Sequence, residues 1–370
     1  MRQILDFDAH QLFKMATKIT FEKRKTLTKS SSPPRLTLND VALATGVSRS
    51  TVSNAFGRPD QLSAGLRESI VSKARQMGYF GPDIVARSMR RRELREVAVV
   101  FHHDLSFALK DPASLEFLGG IAKELDARHL ALQIIPKMGR KLMLAAAFQT
   151  LADVLIVHAD IDNEFIPELQ SISKPLVLVD SVVPKVVSVR IDDQSGARLA
   201  MHHALKSGPE VVVVLSFFIP DAERQKILEH RRTKRFGYVG VERTKGYGDV
   251  LAEQGFPLDK VHWINIDDQS IESSTHACLT ALRDTLPQGV RLAVLGMSDR
   301  MALAAKKVLA GWSDVIVTSV VGFDDIPAAV VAGLTTIRQD HFHKGELAVR
   351  AAIDGIKPGL LPVSLVVRKT

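Results

Sequence analysis

The chain has 370 residues, 46% of them hydrophobic and 24% charged, with a formal net charge of +8 and one cysteine, Cys278. These values exclude a collagenous, low-complexity or disulfide-built chain, and no apolar run is long enough to span a bilayer. The charge is uneven: the first 95 residues hold eighteen Lys and Arg against eight Asp and Glu, the remainder 31 against 33. A polyanionic partner is therefore expected at the N-terminal end alone. A solvated basic surface is the alternative, and charge does not separate the two. The single cysteine and the lack of a basic-then-apolar leader point to the cytoplasm.

In chain order, residues 1–35 join a weakly amphipathic stretch to KTLTKSSSPPR. This reads as a poorly ordered N-terminal extension, with Met15 as a candidate alternative start. Residues 36–80 then carry three short helical patterns. LTLNDVALATG offers Thr37 as N-cap, Leu38, Val41 and Ala42 at helical spacing, and Gly46 after the last turn. Ser48 can cap a second helix, SRSTVSNAF, whose Val52, Ala55 and Phe56 share one side. A third helix from Ser63 is expected to bury Leu66, Ile70, Val71, Ala74 and Met77. Two short helices around a Gly-containing turn, backed by a third, form a small all-α helix-turn-helix head.

The second helix explains itself as a recognition element. In a major groove, Arg binds guanine and Asn binds adenine with two hydrogen bonds, and Ser or Thr reaches base or phosphate. Arg49, Ser50 and Asn54 supply that chemistry. A polar solvent-facing helix is the alternative reading. The RRR of PDIVARSMRRR lies between this head and the body of the chain, where it neutralises phosphates or serves as a charged linker.

Beyond Val97 the period changes. Buried-strand runs (VAVVF, ALQII, DVLIVH, PLVLVD, EVVVVLSF, RLAVLGM, VIVTSVVGF) alternate with helical stretches such as LEFLGGIAKELDAR, SGARLAMHHALK, RTKGYGDVLAEQ and DRMALAAKKVLA. About seven βα units predict two parallel-sheet lobes with a cleft between them. Asp180, Asp299 and Asp324 stand at expected strand ends and Arg243 at an expected helix start. Such groups bind sugar hydroxyls by charge-assisted hydrogen bonds. On the residues alone the caps are the favoured reading, Asp299 as N-cap of DRMALAAKK and Asp324 and Asp325 as turn or helix-cap residues, with Arg243 paired to a neighbouring carboxylate.

LTLNDVALATGVSRSTVSNAF, followed by LRESIVSKARQMGYFGPDIVARSM, resembles the head of the LacI/GalR transcription repressors. KPLVLVD, VRIDDQSGARLAMHHAL, RTKGY, MSDRMALAA, SVVGFDDI and LTTIRQD come after it in that family's order. Only residues 1–35 fall outside the resemblance. It implies an α/β two-lobed effector domain like periplasmic sugar-binding proteins over 97–370, after a hinge at 81–96. It implies that Arg49, Ser50 and Asn54 face bases while Thr37, Ser48, Thr51 and Ser53 touch phosphates. Many relatives carry arginine at the position of Asn54, so adenine replaces guanine as the expected contact there. Arg87 and Met89 belong to the hinge, with Met89 in the place of a leucine that wedges a central base step. Asp180, Arg243, Asp299 and Asp324 fall where relatives contact an effector. Ser298 stands where asparagine is common, and His102, Asp104 and Phe107 come just after the first strand of the body.

The expectation is a non-enzymatic repressor acting in the cytoplasm, at the nucleoid. It binds a pseudo-palindromic operator as a homodimer, and a sugar or sugar derivative controls it. No cofactor or metal site is expected: the histidine pairs lack a third ligand, and GxSxG, the P-loop and GxGxxG are absent from the sequence. An activator or a co-repressor-dependent repressor differs only in the sign of coupling. A sugar-modifying enzyme lacks a catalytic constellation, and a transport-type sugar binder lacks a reason for the basic head. The LPVSLVVRKT terminus carries no leucine heptad, so a dimer is expected rather than a tetramer.

Overall fold

The computed structural model describes residues 37–57, 61–77, 79, 94–101, 104–135, 150, 152–159, 161, 166–170, 172, 174–231, 238–267 and 270–370. The extension at 1–35, hinge residues 81–93 with Arg87 and Met89, and His102 lie outside the described residues. The chain divides into two units at Glu93/Leu94.

The first unit holds α1 (Leu38–Thr45), α2 (Arg49–Gly57) and α3 (Ala64–Gln76). The Asp40 carboxylate accepts from the Thr37 backbone N–H and hydroxyl, both at 2.7 Å, fixing the start of α1. Gly46 ends it at φ +69°, a left-handed turn that a side chain would disfavour. Ser48 caps α2, its hydroxyl accepting from the Thr51 N–H at 3.1 Å. Val41, Val52, Ala55, Ile70, Ala74 and Tyr79 form a common core. Burying the larger of these aliphatic side chains stabilises by roughly 1.5–3 kcal/mol each. Leu66, expected in that core, is 40% exposed; Ile70 and Ala74, one and two turns on, take the inward face of α3 instead.

The second unit contains two six-stranded sheets among the described residues. One runs β11-β5-β4-β3-β1-β2, the other β12-β10-β9-β8-β6-β7. The first comprises β1 (Glu96–Phe101), β2 (Ala131–Ile135), β3 (Val154–His158), β4 (Leu176–Val179), β5 (Val187–Ile191) and β11 (Leu360–Leu361). The second comprises β6 (Val211–Ser216), β7 (Val261–Asn265), β8 (Arg291–Gly296), β9 (Ile316–Asp324), β10 (Thr335–Arg338) and β12 (Ser364–Val366). All pairings are parallel except β10 with β12. Parallel strands must be covered on both faces, which is why β6 (VVVVLS) is buried throughout.

The helices between them are α4 (Leu105–Ala108), α5 (Pro112–Arg128), α6 (Ile166–Gln170), α7 (Asp193–Lys206), α8 (Asp221–Leu228), α9 (Tyr238–Glu253), α10 (Ile271–Arg283), α11 (Asp299–Leu309), α12 (Pro327–Val331) and α13 (His341–Ile353). The chain passes between the sheets three times: after β5, after β10, and between β11 and β12. Accordingly α7 packs its Ala197, Ala200, Met201 and Ala204 into the core of the second sheet. In turn α13 packs Ala348, Val349, Ala351 and Ala352 into the core of the first. Each lobe thus owns a helix that follows a strand of the other, and the first two crossings lie at the carboxyl ends of β5 and β10.

Candidate functional site

On the head, α2 separates its side chains by polarity. Val52 and Ala55 are buried, Arg49, Ser50 and Ser53 are exposed, and Thr51 and Asn54 are half-buried. Ser48, exposed before the first turn, shares its hydroxyl with those of Ser50 and Thr51, each 2.7 Å away. Thr37 is exposed at the start of α1. The segment therefore offers one guanidinium, one amide and a patch of hydroxyls on a helix anchored from behind. An open depression of about 530 Å³ beside it is lined by Asn39, Ala42, Leu43, Gly46, Val47 and Arg49.

In the second unit, charged side chains converge at the carboxyl ends of β3, β4, β9 and β10. Asp180, just past β4, accepts from the Lys344 ammonium at 2.8 and 3.1 Å, and His158 at the end of β3 approaches it to 3.3 Å. Lys344, on α13, also donates to the Gln339 side-chain carbonyl at 2.8 Å. The Gln339 amide donates to Asp324 at 2.6 Å. His341 lies 3.8 Å from the same carboxylate. A continuous chain His158–Asp180–Lys344–Gln339–Asp324 thus runs from the first lobe, over the β10 crossing, to the second.

Arg243 closes the other side. Its Nε donates to Asp193 at 2.8 Å, its Nη1 donates to the Met297 carbonyl, and its guanidinium stacks 3.4 Å from the Phe323 ring centre. The expected helix start at Arg243 is not what forms: α9 begins at Tyr238, and Arg243 sits inside it, 3% exposed. The pairing alternative raised for this residue is realised in Asp193. Asp299 follows the cap Ser298, whose hydroxyl accepts from the Met301 N–H at 3.3 Å. The Asp299 carboxylate is fully buried and accepts from the Thr336 hydroxyl at 2.5 Å and the Ile326 N–H at 2.9 Å. It lies so close to β9 that a Cβ on Gly322 would come within 2.1 Å of its Oδ1.

Backbone strain concentrates here. Asp180, Asp324 and Asp325 have φ of 52°, 128° and 62°, a region non-glycine residues rarely adopt. Such outliers persist only where their surroundings hold them, often at ligand sites. The electrostatics are equally uneven. Burial pushes the Asp299 carboxyl up to about 7, aided by the neighbouring Asp324 charge. Burial likewise pushes Asp193 up to about 6 despite Arg243. Burial alone would raise Asp180 too, but the Lys344 ammonium, with His158, holds it well below the usual carboxylate range.

Asp180, Arg243, Ser298, Asp299 and Asp324 are therefore gathered around the strand ends. Phe107 sits on α4 beneath Arg300, whose guanidinium lies 4.8 Å from its ring centre. Asp104 is exposed at the start of α4 and has no hydrogen bond to this network among the described residues. Sequence reasoning missed Lys344, Asp193, His158 and Gln339. Lys344 left a signal only as a charged residue on the inward face of HFHKGELAVRAAI, a face it shares with His341 and Glu346. Among the described residues no cluster of three His, Cys, Asp or Glu side chains could hold a metal ion. No helix among them is long and apolar enough to cross a membrane.

The chain is 32% identical over 341 residues to an HTH-type transcriptional regulator of Mycobacterium tuberculosis, a match that covers 88% of this chain and 92% of that relative. Its fold is similar to that of the lac repressor dimer bound to operator and the anti-inducer ONPF, with TM-score 0.64, 22% identity, and 90% and 98% of the two chains covered. It is also similar to the transcriptional regulator CelR in complex with cellobiose, with TM-score 0.57, 23% identity, and 90% and 99% covered. No family model matches the sequence.

Proposed function

Because the chain belongs to the LacI/GalR family of DNA-binding transcriptional regulators, we propose that it is a repressor that binds a pseudo-palindromic operator as a homodimer and is controlled by a small carbohydrate held between the lobes of its second unit. The observation that carries this reading is α2, whose apolar residues are consumed by the head's core while Arg49, Ser50 and Ser53 stay exposed.

In this reading Arg49, Ser50 and Asn54 read base edges, and Thr37, Ser48, Thr51 and Ser53 position the head on phosphates. Arg87 and Met89 act in the hinge at 81–96, where an apolar wedge unstacks a base step. Asp180, Arg243, Asp299 and Asp324 form the effector site, to which the family resemblance adds Ser298, Phe107, Asp104 and His102. Carboxylate and guanidinium groups at strand ends suit sugar hydroxyls, and CelR, of like fold, is described with cellobiose. Val330 and Val331 on α12, 55% and 91% exposed, offer apolar surface to a second copy of the chain. Ligand binding shifts the lobes and so changes operator affinity, by differential affinity for two arrangements. The protein works in the cytoplasm and catalyses no reaction.

The test is selection of random duplex DNA by the purified full chain at fixed salt, without added ligand. Enrichment of a two-fold symmetric site with a deformable central step supports the reading. Recovery of unrelated sequences refutes sequence-specific binding by the ligand-free protein.

A further inference from the structure

We propose that Arg190 and Arg300 form a reciprocal clasp between the two lobes of the second unit, and that this clasp sets the balance between closed and open lobes before any effector binds. The inference rests on the reading of the second unit as a two-lobed effector domain and adds the residues that govern its closure.

Each lobe lends one arginine to an aromatic ring of the other. Arg190 stands on β5 of the first sheet, between β4 and β11. Its Nη1 donates to the Tyr238 hydroxyl at 2.9 Å, and its guanidinium lies 5.3 Å from the Tyr238 ring centre. Tyr238 opens α9, whose Tyr247, Val250 and Leu251 lie in the core of the second lobe. The other link runs in the opposite sense. Arg300 is on α11, whose Met301, Ala302 and Ala305 belong to that same core, and its guanidinium lies 4.8 Å from the Phe107 ring centre. Phe107 is on α4, next to Ala108 in the core of the first lobe. Glu272 on α10 pairs with Arg300 at 3.1 Å and steadies it within its own lobe.

Both links join elements of different lobes without a covalent bond, so parting the lobes breaks them. Phe107 and Arg300 stand far in sequence from the three crossings, and the chain path does not hold them together. Arg190 is one residue from the end of β5, beside the first crossing, and its Nε is buried without a hydrogen-bond partner among the described residues. Its engagement by Tyr238 therefore ties the crossing to the start of α9. On α11, closure and ligand contact fall to adjacent residues. Asp299 turns to the Thr336 hydroxyl and the Ile326 N–H, while Arg300 reaches α4, because consecutive helix residues point about 100° apart. Phe107 thus has a part in closure besides the one that the family resemblance implies. Apparent affinity is intrinsic affinity scaled by the competent fraction, so the clasp raises effector affinity without touching the effector.

The experiment is a distance measurement by pulsed electron resonance on the full chain without ligand. Spin labels are placed at Glu116→Cys on α5 and Asp284→Cys just after α10, both exposed and one in each lobe, in a Cys278→Ser background diluted with unlabelled chain. With both arginines present, one dominant distance is expected. Arg190→Gln combined with Arg300→Gln is expected to add a longer distance, the closed-to-open ratio falling by about four- to twenty-fivefold, from two contacts of about two- to fivefold each. Arg300→Lys alone keeps a cation for Phe107 and is expected to keep the original distance, which a merely structural loss at this position would not explain. A double variant with an unchanged distance distribution overturns the clasp, and so does a chain with both arginines that already shows mainly the longer distance. No effector takes part, so neither result bears on the effector-site reading, which fails separately if no sugar binds the chain. If the double variant does not fold, Phe107→Leu keeps apolar bulk and removes the ring face. It is then expected to shift the ratio by about two- to fivefold, and an unchanged distribution overturns the clasp in the same way.

Discussion

Replacing Lys344 with methionine removes the one ammonium that compensates Asp180. The side chain is 3% exposed, its volume is nearly conserved, and its loss deletes three hydrogen bonds, at 2.8, 3.1 and 2.8 Å. What remains is a largely buried carboxylate with, among the described residues, His158 at 3.3 Å beside it. Breaking a buried pair by removing one partner costs about 3–5 kcal/mol, most of it the uncompensated charge. Urea unfolding followed by the fluorescence of Trp263 and Trp312, both in the second unit, measures this loss. The sign with pH is fixed by Asp180. Its lowered carboxyl contributes stability above the ordinary carboxylate range, and that stability is lost as pH falls through the folded value. In the variant, burial instead favours the protonated acid, so the loss is expected in full at pH 8 and reduced at pH 5. Asp180→Asn combined with Lys344→Met is expected to recover most of it, because neither charge is then left alone. A loss below about 1 kcal/mol at pH 8, or one that does not change with pH, refutes the argument that Lys344 stabilises by neutralising Asp180.

Asn54→Ala is expected to relax base preference at one operator position by about 1–3 kcal/mol, measured against single-base operator variants; equal weakening on every duplex would remove Asn54 from base reading. Arg243→Ala is expected to abolish the response to effector, and also to lower stability of the second unit by about 3–5 kcal/mol because Asp193 is left buried and unpaired; a fully responsive, fully stable variant contradicts both roles. Asp193 and Asp299, raised to about 6 and about 7, favour their protonated forms in the fold, so their contribution is complete below the ordinary carboxylate range and is lost as pH rises through those values. Asp299 alone is expected to remove about 2 kcal/mol between pH 5.5 and 8, from about 1.5 pKa units at about 1.4 kcal/mol each; urea midpoints of wild type and Asp299→Asn at the two pH values check this, and equal pH slopes would count against it. Gly322→Ala is expected to displace the Asp299 carboxylate and cost about 1–3 kcal/mol as an overpacked site, read from the same unfolding curves.

The alternation of strand and helix was legible because buried parallel strands are unbroken apolar runs, as in β6 and β8. β5 (VSVRI) and β7 (VHWIN) interrupt that run with Ser188, Arg190, His262 and Asn265, and they escaped notice. β10 is short and half threonine, yet Thr335 and Thr336 are completely buried, one of them as the donor to Asp299. The acids at the strand ends were legible for the same reason the strands were, since each comes after an apolar run. Their partners were not. Lys344 meets Asp180 across 164 residues of chain and Arg243 meets Asp193 across 50, and a local pattern carries no trace of such pairings. Arg243, expected at a helix start, lies within α9, which begins five residues earlier, and the residue is buried there. On the head, the polar surface of α2 could be read directly, since a three-helix core leaves no other place for Val52 and Ala55 to go.

The measurement that tests the account most directly is the affinity of the full chain for its selected duplex, by fluorescence anisotropy at constant salt, with and without a saturating concentration of a sugar that binds it in calorimetric titration. A shift of roughly 5- to 150-fold in either direction is the predicted result, the range of ordinary coupling between two sites on one protein. An operator affinity that stays the same when the second unit is saturated would contradict the claim that this chain couples a ligand at its strand ends to DNA at its head.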